Sequence, residues 1–572
     1  MTAERALATL EFPAVRALLA ERTAFAPGRE LALALVPTAT LADAERLQDE
    51  TAAARALVSA KPATGLAGAH DIRDALRRAT LGGTLDPEQL VAVGRTVRAA
   101  ERLYADVHPY PPLAARCRFA PPPLAIAVAL EHAIGTDATV LDRASPALGG
   151  LRSALRGAQV RLQQRVDNIL RSGEVARFLQ DPIVTQRGGR YVVPVKAEHR
   201  GAVKGIVHDQ SASGQTVFIE PLEILEANNT LREAELAERA EVARVLDELS
   251  RRVEAAGDEL RRVLDALAAL DLILAKAALA EAEDATRPRL NGDGIVDLRG
   301  ARHPLLVAKG AVVPVDVRLG SDFRVLVVTG PNTGGKTVTL KTIGLLTLMA
   351  GAGLQVPASR DSSVPVVPRV YADIGDEQSI AQSLSTFSSH LRNVVATLAD
   401  ARAGDLALLD ELGAGTDPDE GAALAQAVLE QLMAKHALAV VTTHYTALKA
   451  WAAGGPAPGE TGADRLSAGM GYDADALVPT YRLALGRPGA SLGLDVAARL
   501  GLPASVLDRA KHLVAPQTAA LERAIAALEA ERQTVASTHA RLSALERAAR
   551  EAALRQDAAA AAIERERDDF AA

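Results

Sequence analysis

Residues Gly330–Thr337 read Gly-Pro-Asn-Thr-Gly-Gly-Lys-Thr, a pattern of types and spacing suited to gripping the phosphates of a nucleoside triphosphate. Gly330, Gly334 and Gly335 let the backbone wrap tightly, so that successive N–H groups and a helix N-terminus face an anion. Pro331, Asn332 and Thr333 complete the loop. Lys336 is expected to reach the β- and γ-phosphates, and the Thr337 hydroxyl to ligate Mg²⁺. The cofactors implied are ATP and Mg²⁺.

Two acids end a later apolar run, Leu406-Ala-Leu-Leu-Asp-Glu411. Asp410 is expected to hold the metal and Glu411 to act as general base on the attacking water. Adjacent carboxylates at the end of a buried strand are costly unless a cation or water network compensates them, which favours chemistry over a purely structural role. A third run, Val440-Val-Thr-Thr-His-Tyr445, puts His444 where ABC-type ATPases carry a γ-phosphate-sensing histidine. Glu411, Lys336 and His444 are the expected catalytic residues. The stretch Asp410–Asp417 resembles the D-loop that follows the acids in those ATPases.

These groups need a scaffold that aims strand ends at one ligand. Phe323–Thr329 is apolar and β-branched, as a buried parallel strand should be, and Val338–Met349 has helical composition. Strand-like segments Val325–Thr329, Leu406–Leu409 and Leu438–Thr442 alternate with helical ones across residues 289–515, the rhythm of a doubly wound ATPase domain.

The preceding residues predict a different organisation. Residues 1–145 alternate Ala/Leu-rich helical stretches, such as Leu41–Ala60 and Pro87–Tyr104, with Pro/Gly breaks, and read as a helical core domain. Residues 146–180 and 222–288 read as a lever of long helices. On the first, Leu151, Leu155, Val160, Leu162, Val166 and Leu170 are expected along one broad face. Between them, residues 181–221 carry the short strand-like runs Tyr191–Val195, Gly205–His208 and Thr216–Glu220, a small β-rich clamp module at the tip of an arm.

That module holds Arg187, Arg190, Lys196, His199, Arg200 and Lys204 within eighteen positions, opposed there only by Glu198. Such a run is either a solvated surface or a phosphate-contacting one. Arg187, Arg190, Lys196, Arg200 and Lys204 are the expected nucleic-acid contacts, because the module has too little apolar content to explain them as part of a core. Residues 516–572 predict a helical, weakly coiled-coil segment, with Leu521, Leu528, Val535 and Leu542 recurring every seven residues.

Composition bounds the rest. The 572 residues are 48% hydrophobic and only 3% aromatic, so aliphatic side chains must fill the cores. A net charge of −7 excludes a wholly basic nucleic-acid coat but allows local basic patches. One cysteine, Cys117, rules out an intrachain disulfide and a cysteine-cluster metal site. The N-terminal residues show no secretory h-region, and the longest uncharged run, Thr342–Ser359, reads as a buried helix and turn. A cytoplasmic protein without a membrane partner is expected.

The transporter signature of ABC proteins is missing. In its place stands Gln382-Ser-Leu-Ser-Thr-Phe-Ser-Ser-His390, whose Ser-Thr-Phe resembles the form found in MutS proteins. The chain as a whole resembles the second bacterial branch of that family, distinct from mismatch-repair MutS. Residues carrying the likeness include Gln180–Thr185, Gly189–Lys196, Gly205–Gly214, Arg302-His-Pro304 and Ala372–Gln378, and it extends to about residue 515.

The resemblance implies a fold of helical core, lever, clamp and ABC-type ATPase domain, and a homodimer in which Ser385 meets the γ-phosphate held by the partner subunit's loop. It further implies an ATPase acting on branched or double-stranded DNA, to suppress homologous recombination, or on collided 70S ribosomes and their rRNA, to split them. Family members usually end in an Smr domain with endonuclease activity. None is visible before Ala572, so nuclease activity is expected only where that domain is present. Val315 stands where the family more often has Asn, near the expected adenine.

Three other classes compete. A transporter-type ATPase is disfavoured by the missing signature and the large helical arm. A chromosome-structure ATPase of the SMC kind would insert a long coiled coil where only about seventy residues separate Lys336 from Asp410. An inert nucleic-acid binder would have no use for Lys336, Thr337, Asp410, Glu411 and His444 together.

Overall fold

The structure is a computed structural model describing residues 3–310, 312–331, 334–375, 386–453, 464–473, 478–487, 489, 497–498 and 501–513, with isolated positions between 527 and 553. Asn332, Thr333, Ser385, Leu521, Leu528 and Val535 lie outside the described residues. The chain is a multidomain assembly of helices and three sheets. It forms two compact units: residues 23–31 with 56–272, and residues 1–22, 32–55 and 273–572. The helical domain expected over 1–145 is thus divided, since residues 1–22 and 32–55 group with the C-terminal half. Helical periodicity shows which face is buried, not what buries it. No described helix is long and apolar enough to cross a membrane.

In the unit built on residues 56–272, the helix Pro87–Val107 begins at a capping box. The Asp86 carboxylate accepts the Gln89 N–H, while the Gln89 side chain returns to the Asp86 N–H. Its apolar face, including Leu90, Val93 and Val97, shares a core with Leu130, Leu249, Val253 and Leu260. The helices Leu148–Arg171 and Leu222–Ala255 run antiparallel, pinned at one end by Arg152 Nε to Glu238 at 3.0 Å. Between them Ala158, Leu162, Val166 and Ile169 meet Ile224, Ala227 and Leu231. Val160, expected on this face, is 56% exposed. It sits two residues from Leu162, about 200° around the helix.

These helices enclose β1 (Thr185–Arg187), β2 (Arg190–Lys196), β3 (Gly205–Gln210) and β4 (Thr216–Pro221), an antiparallel sheet of order β1-β2-β4-β3. Strand β1 was not anticipated. The module also has its own core of Leu179, Val193, Val195, Val203, Val217 and Ile219, so the expectation of too little apolar content is corrected.

In the other unit, β5 (Arg289–Asn291), β6 (Val296–Ala301), β7 (Val315–Leu319) and β9 (Ser363–Pro365) form a second sheet of order β5-β9-β6-β7. The third comprises β8 (Val325–Thr329), β10 (Val370–Asp373), β11 (Leu406–Leu409), β12 (Leu438–Thr442), β13 (Arg465–Asp473) and β14 (Val478–Leu485). Its order is β10-β11-β12-β8-β13-β14, parallel from β10 to β13 and antiparallel at β14.

The central strands are buried on both faces. Val325, Val327, Ala407, Leu409, Ala439 and Val441 point to one side, against the helices Pro418–Ala434 and Thr446–Ala453. The helix Lys336–Gly351 covers the other side. A Cβ on its Gly344 would lie 2.5 Å from Leu408 and 2.7 Å from Leu10, so only glycine permits that approach. The far end of this helix is capped from the N-terminal segment. Gln48 Nε2 donates to the Ala350 and Leu354 carbonyls, and the Thr51 hydroxyl to that of Gly353.

Candidate functional site

Parallel strands direct their C-terminal ends to one edge of a sheet, where backbone pairing stops and side chains become available to a ligand. Here β8 leads into Gly330, β11 into Asp410 and β12 into Thr443-His444. Gly330 and Gly335 take φ of 131° and 90°, conformations that side chains resist. Gly335 also lies against the Tyr481 ring, 3.1 Å from where a Cβ would stand. The loop is braced by Thr329, whose hydroxyl donates to the Ala468 carbonyl at 3.0 Å and accepts the Gly489 N–H at 2.6 Å.

Lys336 opens the following helix at 2% exposure, and its Nζ donates to the Gly330 carbonyl at 2.9 Å. Burial draws its pKa below the usual lysine value, while the carboxylates of Glu411 and Asp410 pull it upward. Thr337 Oγ1 donates to Asp410 Oδ2 at 2.7 Å. The other Asp410 oxygen accepts from the Thr442 hydroxyl, and that hydroxyl in turn accepts the Glu411 N–H at 2.8 Å.

Glu411 has φ of 47°, a left-handed conformation uncommon outside glycine, and it is half-buried. No described residue hydrogen-bonds its carboxylate. Thr442 was not singled out in the sequence. The register Leu409↔Val441 puts it beside Asp410, so pairing the two strands would have found it.

Behind the acids the chain turns tightly. The Tyr445 hydroxyl donates to the Gly413 carbonyl at 2.7 Å, and Asp417 caps the helix Pro418–Ala434 by accepting the Asp419 and Glu420 N–H groups. His444 is exposed, its ring centroid 5.0 Å from that of Tyr445. It makes no hydrogen bond with Lys336, Asp410 or Glu411. The structure therefore brings together Lys336, Thr337, Asp410 and Glu411, with His444 two residues beyond Thr442.

This constellation suits ATP and Mg²⁺. Gly330 and Gly335 set no side chain at two positive-φ turns of the phosphate loop, and the oxygens around Asp410 are hydroxyl and carboxylate, the hard donors Mg²⁺ prefers.

The clamp module divides its basic residues into two groups. Arg187 Nε lies 3.1 Å from Asp209 Oδ2, with its guanidinium 4.2 Å from the Phe218 ring centroid. Arg190 Nη1 lies 2.9 Å from Glu220 Oε1. Glu220 is 1% exposed and also takes His208 Nε2 at 2.6 Å and Asn228 Nδ2 at 2.8 Å. Sheet pairing thus supplies the opposing charges that neighbouring sequence lacks. Lys196, Arg200 and Lys204 have no ion pair with a described residue, and Arg200 and Lys204 are exposed. Cys117 is half-buried, and burial pushes its thiol up to about 12.

Residues 326–517 match the model of MutS domain V. Endonuclease MutS2 of Pelotomaculum thermopropionicum is 45% identical over 551 residues, covering 96% of this chain and 69% of the relative. That of Symbiobacterium thermophilum is 45% identical over 532 residues, covering 92% and 66%. That of Thermomicrobium roseum is 46% identical over 545 residues, covering 92% and 68%. The chain belongs to the MutS2 family. It spans about two thirds of the length of these relatives.

Proposed function

We propose that this chain is a dimeric, ATP-hydrolysing clamp that grips nucleic acid, with branched DNA as its client. The observation that carries the reading is the convergence of Asp410, Glu411 and Thr442, at the ends of neighbouring parallel strands, with Thr337 on the helix after the glycine loop, beside a buried lysine.

The glycine loop and Lys336 bind and orient the triphosphate. Thr337 and Asp410 would hold Mg²⁺, which when bound would neutralise charge on the transferring phosphoryl group. Glu411 accepts a proton from the attacking water. Thr442 fixes the backbone of that glutamate through its N–H, so the carboxylate faces the ligand rather than the sheet. His444 reports on the terminal phosphate once the dimer closes. Ser385 serves the partner subunit's nucleotide, so two copies complete two sites. ATP binding closes the pair and hydrolysis reopens it.

At the clamp, Lys196, Arg200 and Lys204 contact phosphates, while Arg187 and Arg190 hold the module's shape. Suppression of recombination follows if the closed clamp holds a junction. Splitting of collided ribosomes is the competing use of the same device, since rRNA offers the same phosphates. The relatives are named as endonucleases, and that activity is expected only where an Smr domain is present.

Lys336→Ala should abolish productive nucleotide binding, and Glu411→Gln should bind ATP but turn it over very slowly. Normal hydrolysis by either variant would overturn the site assignment. The Glu411→Gln protein held with ATP should prefer branched DNA to linear DNA and to single or collided ribosomes at physiological salt. A preference for collided ribosomes would move the function to translation rescue.

A further inference from the structure

Asp373 ends β10, the strand beside β11, and is 6% exposed. Both of its carboxylate oxygens are engaged by one helix, Thr386–Asp400: Nδ1 of His390 donates to Oδ2 at 2.8 Å, and Nδ2 of Asn393 donates to Oδ1 at 2.7 Å. The Asp373 carbonyl accepts the Asp410 N–H at 2.8 Å, so the same residue is bonded to the backbone of the expected metal ligand.

A second contact runs parallel to the first. Gly415, in the turn after Glu411, has φ of 94° and lies against Phe387, with 3.1 Å between its would-be Cβ and that of the phenylalanine. The helix immediately following Ser385 is therefore tied in two places to the strand ends that carry Asp410 and Glu411.

We infer that Asp373 is a positioning residue: with His390 and Asn393 it holds the helix Thr386–Asp400 in register with the acids of its own subunit, so that the signature serine preceding that helix can serve the partner subunit's nucleotide. This rests on the dimeric ATPase reading above. A buried carboxylate satisfied by two directed bonds is a stiff joint, because releasing either partner leaves a charge without compensation. Its position suits transmission. Asp410 and Glu411 belong to the site their own phosphate loop forms, whereas Ser385 belongs to the opposite one. A joint between them makes the geometry of one site depend on the state of the other.

The test is trans-complementation. Asp373→Ala should keep Mg-ATP binding, read with a fluorescent ATP analogue, and keep its KM, while kcat falls by about 10- to 100-fold, as expected for a displaced positioning group. His390→Ala should behave alike, and His390→Gln, which retains a donor, should recover part of the loss. Mixing the Asp373→Ala protein with the Lys336→Ala protein should restore hydrolysis. In the mixed dimer an intact phosphate loop is then served by a subunit whose helix Thr386–Asp400 keeps its Asp373 anchor.

No restoration, with both proteins folded by thermal unfolding and dimeric by sedimentation, would overturn the inference and give Asp373 a role confined to its own site. A rise in KM equal to the fall in kcat/KM would also overturn it. If the unaltered protein neither hydrolyses ATP nor dimerises, the ATPase reading itself fails, which is a separate result.

Discussion

Thr337 and Asp410, 73 residues apart in sequence, are joined by a hydrogen bond of 2.7 Å from the threonine hydroxyl to a carboxylate oxygen. One stands on the first turn of the helix after the phosphate loop, the other at the end of a strand two places away in the sheet. The bond pre-forms a pair of oxygens suited to one divalent cation. Thr337→Val, nearly isosteric, should lower Mg²⁺-dependent hydrolysis by on the order of 100-fold, while Thr337→Ser retains most of it. Steady-state turnover across a Mg²⁺ titration checks this.

Thr442 should matter twice. Its hydroxyl satisfies a buried carboxylate oxygen and the N–H of Glu411 at once. Thr442→Val leaves both without that partner, at a cost of about 1–3 kcal/mol in stability. Turnover should fall with little change in ATP affinity, because Lys336 and the loop remain. Thermal unfolding and equilibrium nucleotide binding separate the two effects.

Glu283 links acidity to stability. It is 4% exposed, neither carboxylate oxygen has a hydrogen-bond partner, and burial pushes its pKa up to about 7, against smaller opposing effects of Arg22 and Arg302. The folded chain therefore keeps this proton where the unfolded chain has lost it. Its contribution is full below the ordinary glutamate value of 4.5 and is lost as pH rises through about 7. Glu283→Gln should match the parent at pH 4 and exceed it at pH 8 by on the order of 2–3 kcal/mol. Unfolding followed at both pH values tests the sign.

The clamp arginines and lysines should separate by readout. Replacing Lys196, Arg200 and Lys204 with alanine should leave stability nearly unchanged and reduce the salt slope of nucleic-acid binding by up to about 3. Arg190→Ala withdraws the arginine partner from a buried Glu220, and should cost roughly 3 kcal/mol in the stability of the module. Salt-dependent binding and limited proteolysis distinguish them.

What was legible in the sequence was local. Gly330–Thr337 and the strands ending at Asp410 and Thr442 announce themselves because strand, turn and helix signals are contiguous. The clamp's later strands were found by the same means. What escaped depends on residues far apart. Val160 shares the hydrophobicity of its neighbours but not their angle around the helix. Asp209 and Glu220 oppose Arg187 and Arg190 only after antiparallel pairing. Asp373 carries no motif of its own, and its partners, 17 and 20 residues on, face it only once the helix packs on the sheet.

The interleaving of the chain has a consequence for its biosynthesis. Leu7, Leu10, Phe12, Val15 and Leu19 leave the ribosome more than 250 residues ahead of Ile273, yet they are buried in a unit otherwise made of residues 32–55 and 273–572. Strand β8 likewise waits for β12 and β13, more than a hundred residues downstream, before both of its edges are paired. That apolar surface must stay shielded until strands far downstream have been translated, which makes this nascent segment a natural client for a holding chaperone.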